Sequence, residues 1–268
     1  METALNWEID DWSDRIKTEG EKVIVDAGGV HYRTLNEKVR ELANQGGKFI
    51  ELRNINGQRY LGTGINKKDV KIIIHGTPGN DLGAFMDGPR LEVFANAQDA
   101  VCNTMNSGKV IVHGHAGDVL GYGMRGGKLY VRGNVGYRVG IHMKAYGSMV
   151  PAIVAGGTAG DFFGEYMAGG TLVLLGLGGK PEERIVGDWV GTGIHGGVIY
   201  IRGEVLPHQL GKEVGVLEKI PEKEMAELIA LLKDYCQEFK LDLDEILEKP
   251  FLKLFPFTTR PYGKLYAY

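Results

Sequence analysis

The residue pattern with the most familiar chemistry is Gly191-Thr192-Gly193-Ile194-His195-Gly196, which matches the GxGxxG fingerprint of dinucleotide-binding proteins. That fingerprint binds a pyrophosphate where a strand leads into a long helix, because the helix N-terminus forms the anion site. Here the six residues lie inside a repeated strand-and-turn unit, with no long helix after them. We therefore interpret them as a structural turn and predict no cofactor-binding residues.

Histidine is the second residue type that could support catalysis or bind a metal. His75 and His113 occupy equivalent outward positions two strands apart, with Phe94 between them and His115 in the following turn. At ~4.8 Å per strand their side chains are ~10 Å apart, too far to share one ion. The other four histidines have no repeated carboxylate or cysteine partner: His31, His142, His195 and His208. We expect surface or interface roles and predict no catalytic or metal-binding residues.

Cysteine content and charge exclude several further classes of function. Cys102 and Cys236 are the only cysteines, too few for an iron–sulfur cluster and without the paired spacing of a zinc site. This indicates a reduced, cytoplasmic setting. The net charge is −3, with basic and acidic residues mixed along the chain, so we expect neither nucleic acid nor an anionic membrane as a partner. The acidic N-terminus offers no apolar stretch for a signal or a membrane span.

The chain contains 41 glycines, and many of them belong to a repeated strand-and-turn unit that positions these side chains. The pattern Ile72-Ile73-Ile74-His75-Gly76 recurs along the chain, with a degenerate copy at 91–95. Its last residue, the anchor, returns at a constant spacing through Gly76, Ala95, Gly114 and Gly133, and then stands at Gly157, Gly176 and Gly203. A fixed period of this size indicates a solenoid, because one such unit cannot bury its own apolar face.

Two further columns follow the anchors. Five methionines stand ten residues after an anchor, at Met86, Met105, Met124, Met143 and Met167. Thioethers could bind a soft metal, but stacked identical side chains in a solenoid interior favour a packed core. Asp99, Asp118 and Asp161 stand four residues after an anchor, where we expect them to cap turns rather than bind calcium.

The repeat predicts a mainly β protein: a right-handed parallel β-helix of about seven Gly-rich rungs. The strands are short and about a dozen residues separate them, so they pair in parallel, and parallel crossovers are right-handed. Positions four and two before each anchor are apolar and point inward. We place the β-helix at residues 71–205, an N-terminal α/β cap segment at 1–70, and a C-terminal helix and tail at 206–268.

The flanking segments have a different pattern. Thr34 and Glu37 form a capping-box signature before an apolar helical stripe that Gly46 ends. Near the other end, Pro221 precedes apolar residues at helical spacing as far as Phe239, and an aromatic, extended tail follows. The outward column three before each anchor is almost wholly apolar: Ile73, Glu92, Ile111, Tyr130, Val154, Val173 and Tyr200. A soluble chain rarely leaves such a strip bare, so we expect the C-terminal segment to cover it.

Two rungs are longer than the rest, with insertions around Lys144 to Val150 and Lys180 to Gly187. Insertions in a solenoid usually emerge as loops and often mark its binding face. We therefore expect partner contacts at one or both loops.

These motifs resemble the Gly-repeat (GXGXG) domain at the C-terminus of the glutamate synthase large subunit, in the form of a stand-alone subunit. The resemblance covers nearly the whole chain. Its pieces are Asp26-Ala-Gly-Gly29, Tyr32-Arg-Thr-Leu-Asn-Glu-Lys-Val-Arg40, Asn56-Gly-Gln-Arg-Tyr60, Gly114-His-Ala-Gly-Asp118, Met124-Arg-Gly-Gly127, Val154-Ala-Gly-Gly-Thr-Ala-Gly-Asp161, Met167-Ala-Gly-Gly170 and Arg260-Pro-Tyr-Gly-Lys-Leu-Tyr-Ala-Tyr268.

The resemblance implies a part in nitrogen assimilation through glutamate biosynthesis, in which glutamine and 2-oxoglutarate give glutamate. In that family the chemistry belongs to an N-terminal nucleophilic cysteine, an FMN barrel and an iron–sulfur cluster, none of which this sequence shows. The implied role is a non-catalytic scaffold. Glutaminase-like and FMN-barrel subunits are the implied partners, and they would hold the FMN and the iron–sulfur cluster. Whether the chain is itself an enzyme stays open, as does assembly with further copies of itself.

Two alternatives share a Gly-rich solenoid. A hexapeptide-repeat acyltransferase builds each coil from three hexapeptides, which is one position shorter than the undisturbed spacing from Gly76 to Ala95 and from Ala95 to Gly114. A looser resemblance exists to the Gly-rich solenoid subunit of formylmethanofuran dehydrogenase, which would also be a scaffold. The first alternative is an enzyme and the second is not.

Overall fold

Nine consecutive strands stack in parallel to form one face of a β-helix. The computed structural model describes residues 11–179 and 184–257. The parallel strands are β2 (Lys22–Asp26), β3 (Phe49–Asn56), β4 (Lys71–Thr77), β5 (Asp87–Val93), β6 (Ser107–Val112), β7 (Lys128–Val131), β8 (Ala152–Ala155), β9 (Ala168–Leu174) and β10 (Gly196–Arg202). The predicted fold class is confirmed, and β4 to β10 are the seven predicted rungs. Because β2 and β3 continue the same sheet, the N-terminal segment extends the solenoid.

Antiparallel strands end the parallel stack on both sides. Strand β1 (Ile16–Glu19) pairs antiparallel with β2. At the other end, β12 (Phe251–Pro256) lies antiparallel between β10 and β11 (Val214–Leu217). Covering the outermost rungs in this way satisfies backbone groups that would otherwise form open sheet edges.

Five side chains of each coil point inward, so the core is a set of stacked columns. They stand four and two residues before the anchor and two, six and ten residues after it. In the coil of Gly114 they are Val110, Val112, Ala116, Leu120 and Met124, all within one buried cluster. The methionine column is therefore core, as the sequence predicts, and Met86, Met105, Met124, Met143 and Met167 are fully buried.

The methionine column also explains the glycine pairs. Gly127 has a φ of +78°, and a Cβ there would lie 2.4 Å from Cε of Met105 in the preceding coil. Gly197 has a φ of +82° and would bring a Cβ within 2.5 Å of Cε of Met167. Both the backbone conformation and the neighbouring methyl group thus require glycine.

The aspartate column joins each coil to the next. The backbone N–H of Asp118 donates to Oδ1 of Asp99 over 2.9 Å, and that of Tyr137 donates to Oδ1 of Asp118 over 2.9 Å. The N–H of Asp188 donates likewise to Oδ1 of Asp161 over 2.8 Å. These bonds confirm the turn-capping interpretation, since each carboxylate satisfies a donor that a tight turn leaves unpaired.

The coils of Gly76 to Gly157 turn through alternating left-handed residues at five, seven and nine positions after the anchor. In the coil of Gly76 these are Asp81, Gly83 and Phe85, with φ of +62°, +68° and +55°. The N–H of Asp81 and Phe85 donates to the following coil, whereas that of Gly83 donates to the preceding one. The same alternation recurs in the coils of Ala95, Gly114, Gly133 and Gly157, so the turns are hydrogen-bonded to neighbours on both sides.

Three α-helices flank the solenoid: α1 (Tyr32–Asn44), α2 (Glu222–Phe239) and α3 (Leu243–Leu247), with a 3-10 helix at Pro207–Gln209. Helix α1 connects the parallel strands β2 and β3. Its N-cap is His31, so Thr34 lies within the first turn and the capping-box prediction is wrong. Within the described ranges, no helix combines the length and apolar character that crossing a bilayer requires.

Helix α2 covers the outward apolar column from Ile111 to Tyr200, as the sequence predicts, and leaves Ile73 of β4 uncovered. A second buried cluster joins Ile111, Tyr130, Val154, Val173 and Tyr200 of the strands to side chains of α2, among them Leu228, Leu232, Tyr235 and Phe239. The tail covers this column only in part, since Phe251 joins the same cluster. Strand β12 closes the last rung, and its Leu254 enters the interior core. Tyr262 and the rest of 258–268 lie outside the described residues.

The interior placement of Met124 can be tested by burying a charge. Met124→Asp leaves a carboxylate unpaired in the core and should lower the free energy of unfolding by about 3 kcal/mol or more. Arg125→Asp, at the exposed neighbouring position, should lower it by less than about 1 kcal/mol. Urea unfolding followed by circular dichroism measures both, and equal losses would contradict the assignment of columns.

Candidate interaction surface

The histidines singled out in the sequence form an aromatic stack on the sheet face. Phe94 lies between His75 and His113, with ring centroids 5.5 and 4.4 Å away and nearly parallel planes. Nε2 of His113 lies 3.1 Å from Oε1 of Glu92, and Nε2 of His75 lies 3.5 Å from Oε1 of Glu51. The two imidazoles therefore contact different carboxylates, and in the described part of the chain no three histidine, cysteine, aspartate or glutamate side chains are grouped to hold a metal ion.

The remaining candidates have structural positions. Nδ1 of His115 accepts the backbone N–H of Asn134 over 2.9 Å, which joins two coils. Cys102 is fully buried, and burial raises the pKa of its thiol far above the ordinary range. The GxGxxG residues Gly191 and Gly193 are left-handed turn residues that lead into strand β10. The segment therefore lacks the helix N-terminus that pyrophosphate binding needs.

A cavity of about 510 Å³ lies beside the last rung, lined by residues that include Arg184, Arg202 and Lys249. Nε of Arg202 donates to the carbonyl oxygen of Ile246 over 2.7 Å. Arg184 pairs with Asp188 over 3.2 Å. Both guanidinium groups thus already contact acceptors of this chain.

Ion pairs fasten α2 to three strands. Arg90 of β5 makes a bidentate pair with Glu238 over 2.8 and 2.7 Å. Lys109 of β6 contacts Glu238 over 2.9 Å and Asp234 over 2.7 Å. Asp234 also accepts from Lys128 over 2.5 Å and from the Tyr130 hydroxyl over 2.8 Å. Helix α2 therefore ends over β5 and does not extend over the sheet face of β2 to β4.

These contacts lower two carboxyl pKa values. The hydrogen bond from Arg90 lowers the pKa of Glu238 to about 2, with a further contribution from Lys109. Burial alone would raise the pKa of Asp234, but hydrogen bonds from Lys109, Lys128 and Tyr130 outweigh it and lower that pKa to about 2. Both groups stay ionised at neutral pH and stabilise the docked helix.

The sheet face of β2 to β4 has charges that are paired within the chain. Glu51 is almost fully buried and accepts from Lys22 over 2.8 Å and Arg53 over 2.6 Å. Glu92 contacts Lys71 over 3.0 Å and Arg90 over 3.1 Å. The carboxylates of this face are therefore each paired with two cations of the same chain.

A different surface lies along the turns of the later coils, where aromatic rings face solvent. We call it the aromatic ridge, and its members are Tyr122, Tyr137, His142, Phe162, Tyr166 and Trp189. The exposed fraction is 53% for Tyr137, 44% for Tyr166 and 52% for Trp189. Between coils, His142 stacks on Tyr166 with centroids 5.4 Å apart and meets the edge of Tyr122 at 5.7 Å. Phe162 stacks on Trp189 at 6.5 Å.

Four members of the aromatic ridge have left-handed backbone: His142, Phe162, Tyr166 and Trp189, with φ of +55°, +62°, +50° and +64°. Bulky residues rarely adopt this conformation, because Cβ approaches the following carbonyl oxygen, at a cost of about 1–2 kcal/mol. Strain of this kind concentrates at functional sites.

Cations and the first insertion border the aromatic ridge. Arg125 and Lys144 are exposed at equivalent positions of neighbouring coils. The insertion after Lys144 forms a tight loop closed by hydrogen bonds between Tyr146 and Met149, and Tyr146 is 66% exposed. It emerges as a loop, as the sequence predicts. Residues 180–183 of the second insertion lie outside the described residues.

Sequence reasoning missed the aromatic ridge. Alignment on the anchors places Phe85, His142 and Tyr166 at the same position, nine residues after Gly76, Gly133 and Gly157. That column was the available signal. It was obscured because Thr104 and Gly123 occupy the same position in two other coils, and because Gly193, in the equivalent place of the lengthened coil, does not align on its anchor.

Comparison with known proteins gives relatives of two kinds. Residues 35–257 match the family model described as the GXGXG motif. An uncharacterized protein of Methanocaldococcus jannaschii is 48% identical over 254 residues, covering 92% of this chain and 97% of that protein.

Two glutamate synthases match part of the chain. Ferredoxin-dependent glutamate synthase 2 of Synechocystis is 31% identical over 163 residues, and the ferredoxin-dependent glutamate synthase of Pyropia yezoensis is 29% identical over 166 residues. Each match covers 57% of this chain and 10% of the synthase. The matched part of this chain therefore spans about a tenth of the length of either synthase.

The ion pairs of α2 predict acid-sensitive stability. Because the folded pKa values of Asp234 and Glu238 lie below their ordinary values, their stabilisation is complete above pH ~5 and is lost as pH falls toward 2. We expect the double variant Asp234→Asn/Glu238→Gln to be less stable at pH 7, by about 2–4 kcal/mol, and to approach the parent at pH 2.5.

Urea unfolding at both pH values measures this difference. Glu227→Gln, at an exposed position of the same helix, serves as the control and should leave stability nearly unchanged. A stability deficit of the double variant that is the same at pH 7 and pH 2.5 would contradict the electrostatic origin.

Proposed function

The chain belongs to the GXGXG-motif family, and from this membership we propose that it is the β-helix scaffold subunit of a glutamate synthase-type enzyme. Its sequence is homologous to part of the glutamate synthase large subunit. In the proposed assembly it holds a glutaminase-like subunit and an FMN-barrel subunit in fixed positions. Those partners would contribute the FMN, the iron–sulfur cluster and the reacting groups.

The observation that carries the proposal is the homology to a synthase segment that is itself a small fraction of the whole protein. The side chains of this chain that could do chemistry support the same conclusion. The aspartate column accepts backbone N–H groups, the methionine column fills the core, and His115 joins two coils. These groups contribute to the fold, which leaves the reaction to other subunits.

The fold suits a scaffold for a physical reason. Nine parallel strands at ~4.8 Å spacing give a stack of ~40 Å, long enough to contact two subunits side by side. Turns bonded to the coils on both sides resist bending, so contact points along the solenoid keep their separation. In the proposed enzyme, fixed separation allows ammonia released from glutamine to reach the FMN site.

Reconstitution tests the proposal. The purified chain alone should neither release glutamate from glutamine nor bind FMN stoichiometrically. Combining it with the glutaminase-like and FMN-barrel polypeptides of the same organism should restore glutamine-dependent glutamate synthesis, assayed with reduced methyl viologen as electron donor. Omitting the chain should lower that rate by about tenfold or more, because geometry controls such coupled steps.

The heat-unfolded chain serves as a control, because an unfolded scaffold should behave like an omitted one. Glutaminase activity or stoichiometric FMN in the isolated chain would contradict the proposal. Full coupled activity of the other two polypeptides without the chain would contradict it as well.

A further inference from the structure

We infer that the aromatic ridge, together with Arg125, Lys144 and Tyr146, is the docking surface for a partner subunit that presents an apolar patch with an acidic border. The inference rests on the proposed scaffold function and assigns one surface of the solenoid to it. It is carried by exposure, backbone strain and charge.

Exposure on the aromatic ridge is concentrated. Tyr122, Tyr137, Tyr166 and Trp189 each leave more than two fifths of their surface in solvent. His142 contacts the rings of Tyr122 and Tyr166 across three coils, and Phe162 stacks on Trp189 of the next coil. Contiguous apolar patches of this kind mark interaction sites. Tyrosine, tryptophan and arginine are the residues that most often dominate binding energy at protein interfaces.

Backbone strain gives a second, independent reason. His142 and Tyr166 stand nine residues after their anchors, and Gly123 has the same position in the preceding coil. In the following coil, which the second insertion lengthens, Gly193 lies at the structurally equivalent position next to Tyr166. All four have the same left-handed conformation, so the fold accepts glycine there. Aromatic side chains add strain at this position and remain half exposed. Because glycine is accepted there, we assign the benefit of the stacked pair His142 and Tyr166 to contacts outside the folded chain.

Charge selects the kind of partner. Arg125 and Lys144 face solvent beside His142 and Tyr166. Glu165, the carboxylate next to Tyr166, is buried and pairs with Arg138, whose guanidinium also lies 4.5 Å from the ring centre of Phe162. The border at Arg125 and Lys144 is consequently cationic, and acidic side chains on the partner complement it there. The side of the aromatic ridge at Tyr137 and Trp189 instead carries carboxylates that are already engaged within the chain. Asp118 and Asp161 accept backbone N–H groups, and Asp188 pairs with Arg184.

The same charges disfavour a second copy of this chain as the occupant. A symmetric dimer whose two-fold axis passes through the border at Arg125 and Lys144 would place these cations of both copies against each other. Like charges brought together in an interface are repulsive. A different subunit with an acidic border avoids that cost.

Binding of the full chain to the purified FMN-barrel and glutaminase-like subunits, each titrated by calorimetry, tests the inference. The double variant His142→Gly/Tyr166→Gly should weaken binding to one of them by about 30-fold or more, the size of a hot-spot pair. Its melting temperature should not fall, because glycine relieves the left-handed strain. Lys144→Glu should weaken the same complex by about tenfold and reduce its salt dependence.

Phe85→Ala is the matched control, since Phe85 has the same exposed position and left-handed backbone three coils away. It should leave the affinity unchanged. Wild-type binding that the aromatic-ridge variants do not weaken would overturn the inference and leave the scaffold function standing. If the wild-type chain binds neither subunit, the scaffold function fails and the inference fails with it.

Sedimentation of the chain alone tests whether a second copy of this chain, rather than a different subunit, covers the aromatic ridge. A wild-type dimer that the His142→Gly/Tyr166→Gly variant dissociates would show that a second copy covers the aromatic ridge, and would overturn the inference. A monomer for both proteins supports it.

Discussion

Hydrogen bonding between successive coils is the constraint on which the rest of this structure depends. Strand residues pair in parallel along one face, and left-handed turn residues donate alternately to the next and the previous coil. Each position is therefore locked above its equivalent in the neighbouring coil. Once that alignment is fixed, the identity of a whole column follows from the space and the donors it meets. Aspartate stands where a backbone N–H needs an acceptor, glycine where a methionine methyl group approaches, and apolar residues where the column points inward.

The same alignment divides the side-chain columns into those that pack within the fold and those that face solvent. Inward columns are filled by packing, and the outward column of the sheet is covered by α2, which apolar contacts and ion pairs hold in place. The outward turn columns of the later coils face solvent instead. They can accept glycine and yet present aromatic rings in strained conformations. At these turn columns the side chains do not contribute to the core. An interaction surface can therefore form there without disturbing the packing of the solenoid.

Much of this architecture was predictable because it repeats locally. A constant anchor spacing, apolar positions four and two before each anchor, and a methionine ten after it are visible within single coils. Helix α2 was also visible, since helical spacing and Pro221 lie within one short segment. The start of α1 was not, because His31 begins the helix without a side-chain cap and the apparent capping box at Thr34 lies inside it. The capping-box signature mispredicted the start of α1, because the connection from strand β2, rather than a side-chain cap, sets that boundary.

The sequence alone determined the repeat, the parallel β-helix, the buried methionine column and the family resemblance. Each of these can be recognised from residue spacings within one coil or between two neighbouring coils. Only the tertiary structure decided which distant groups meet. Asp234 and Glu238 reach Arg90, Lys109 and Lys128 from the far end of the chain, and no spacing encodes that docking. The aromatic ridge likewise forms only after the insertion following Lys144 emerges as a loop, which brings His142 and Tyr166 into contact from successive coils. Interior columns follow from periodicity, whereas contacts made on the outside depend on the path of the chain in three dimensions.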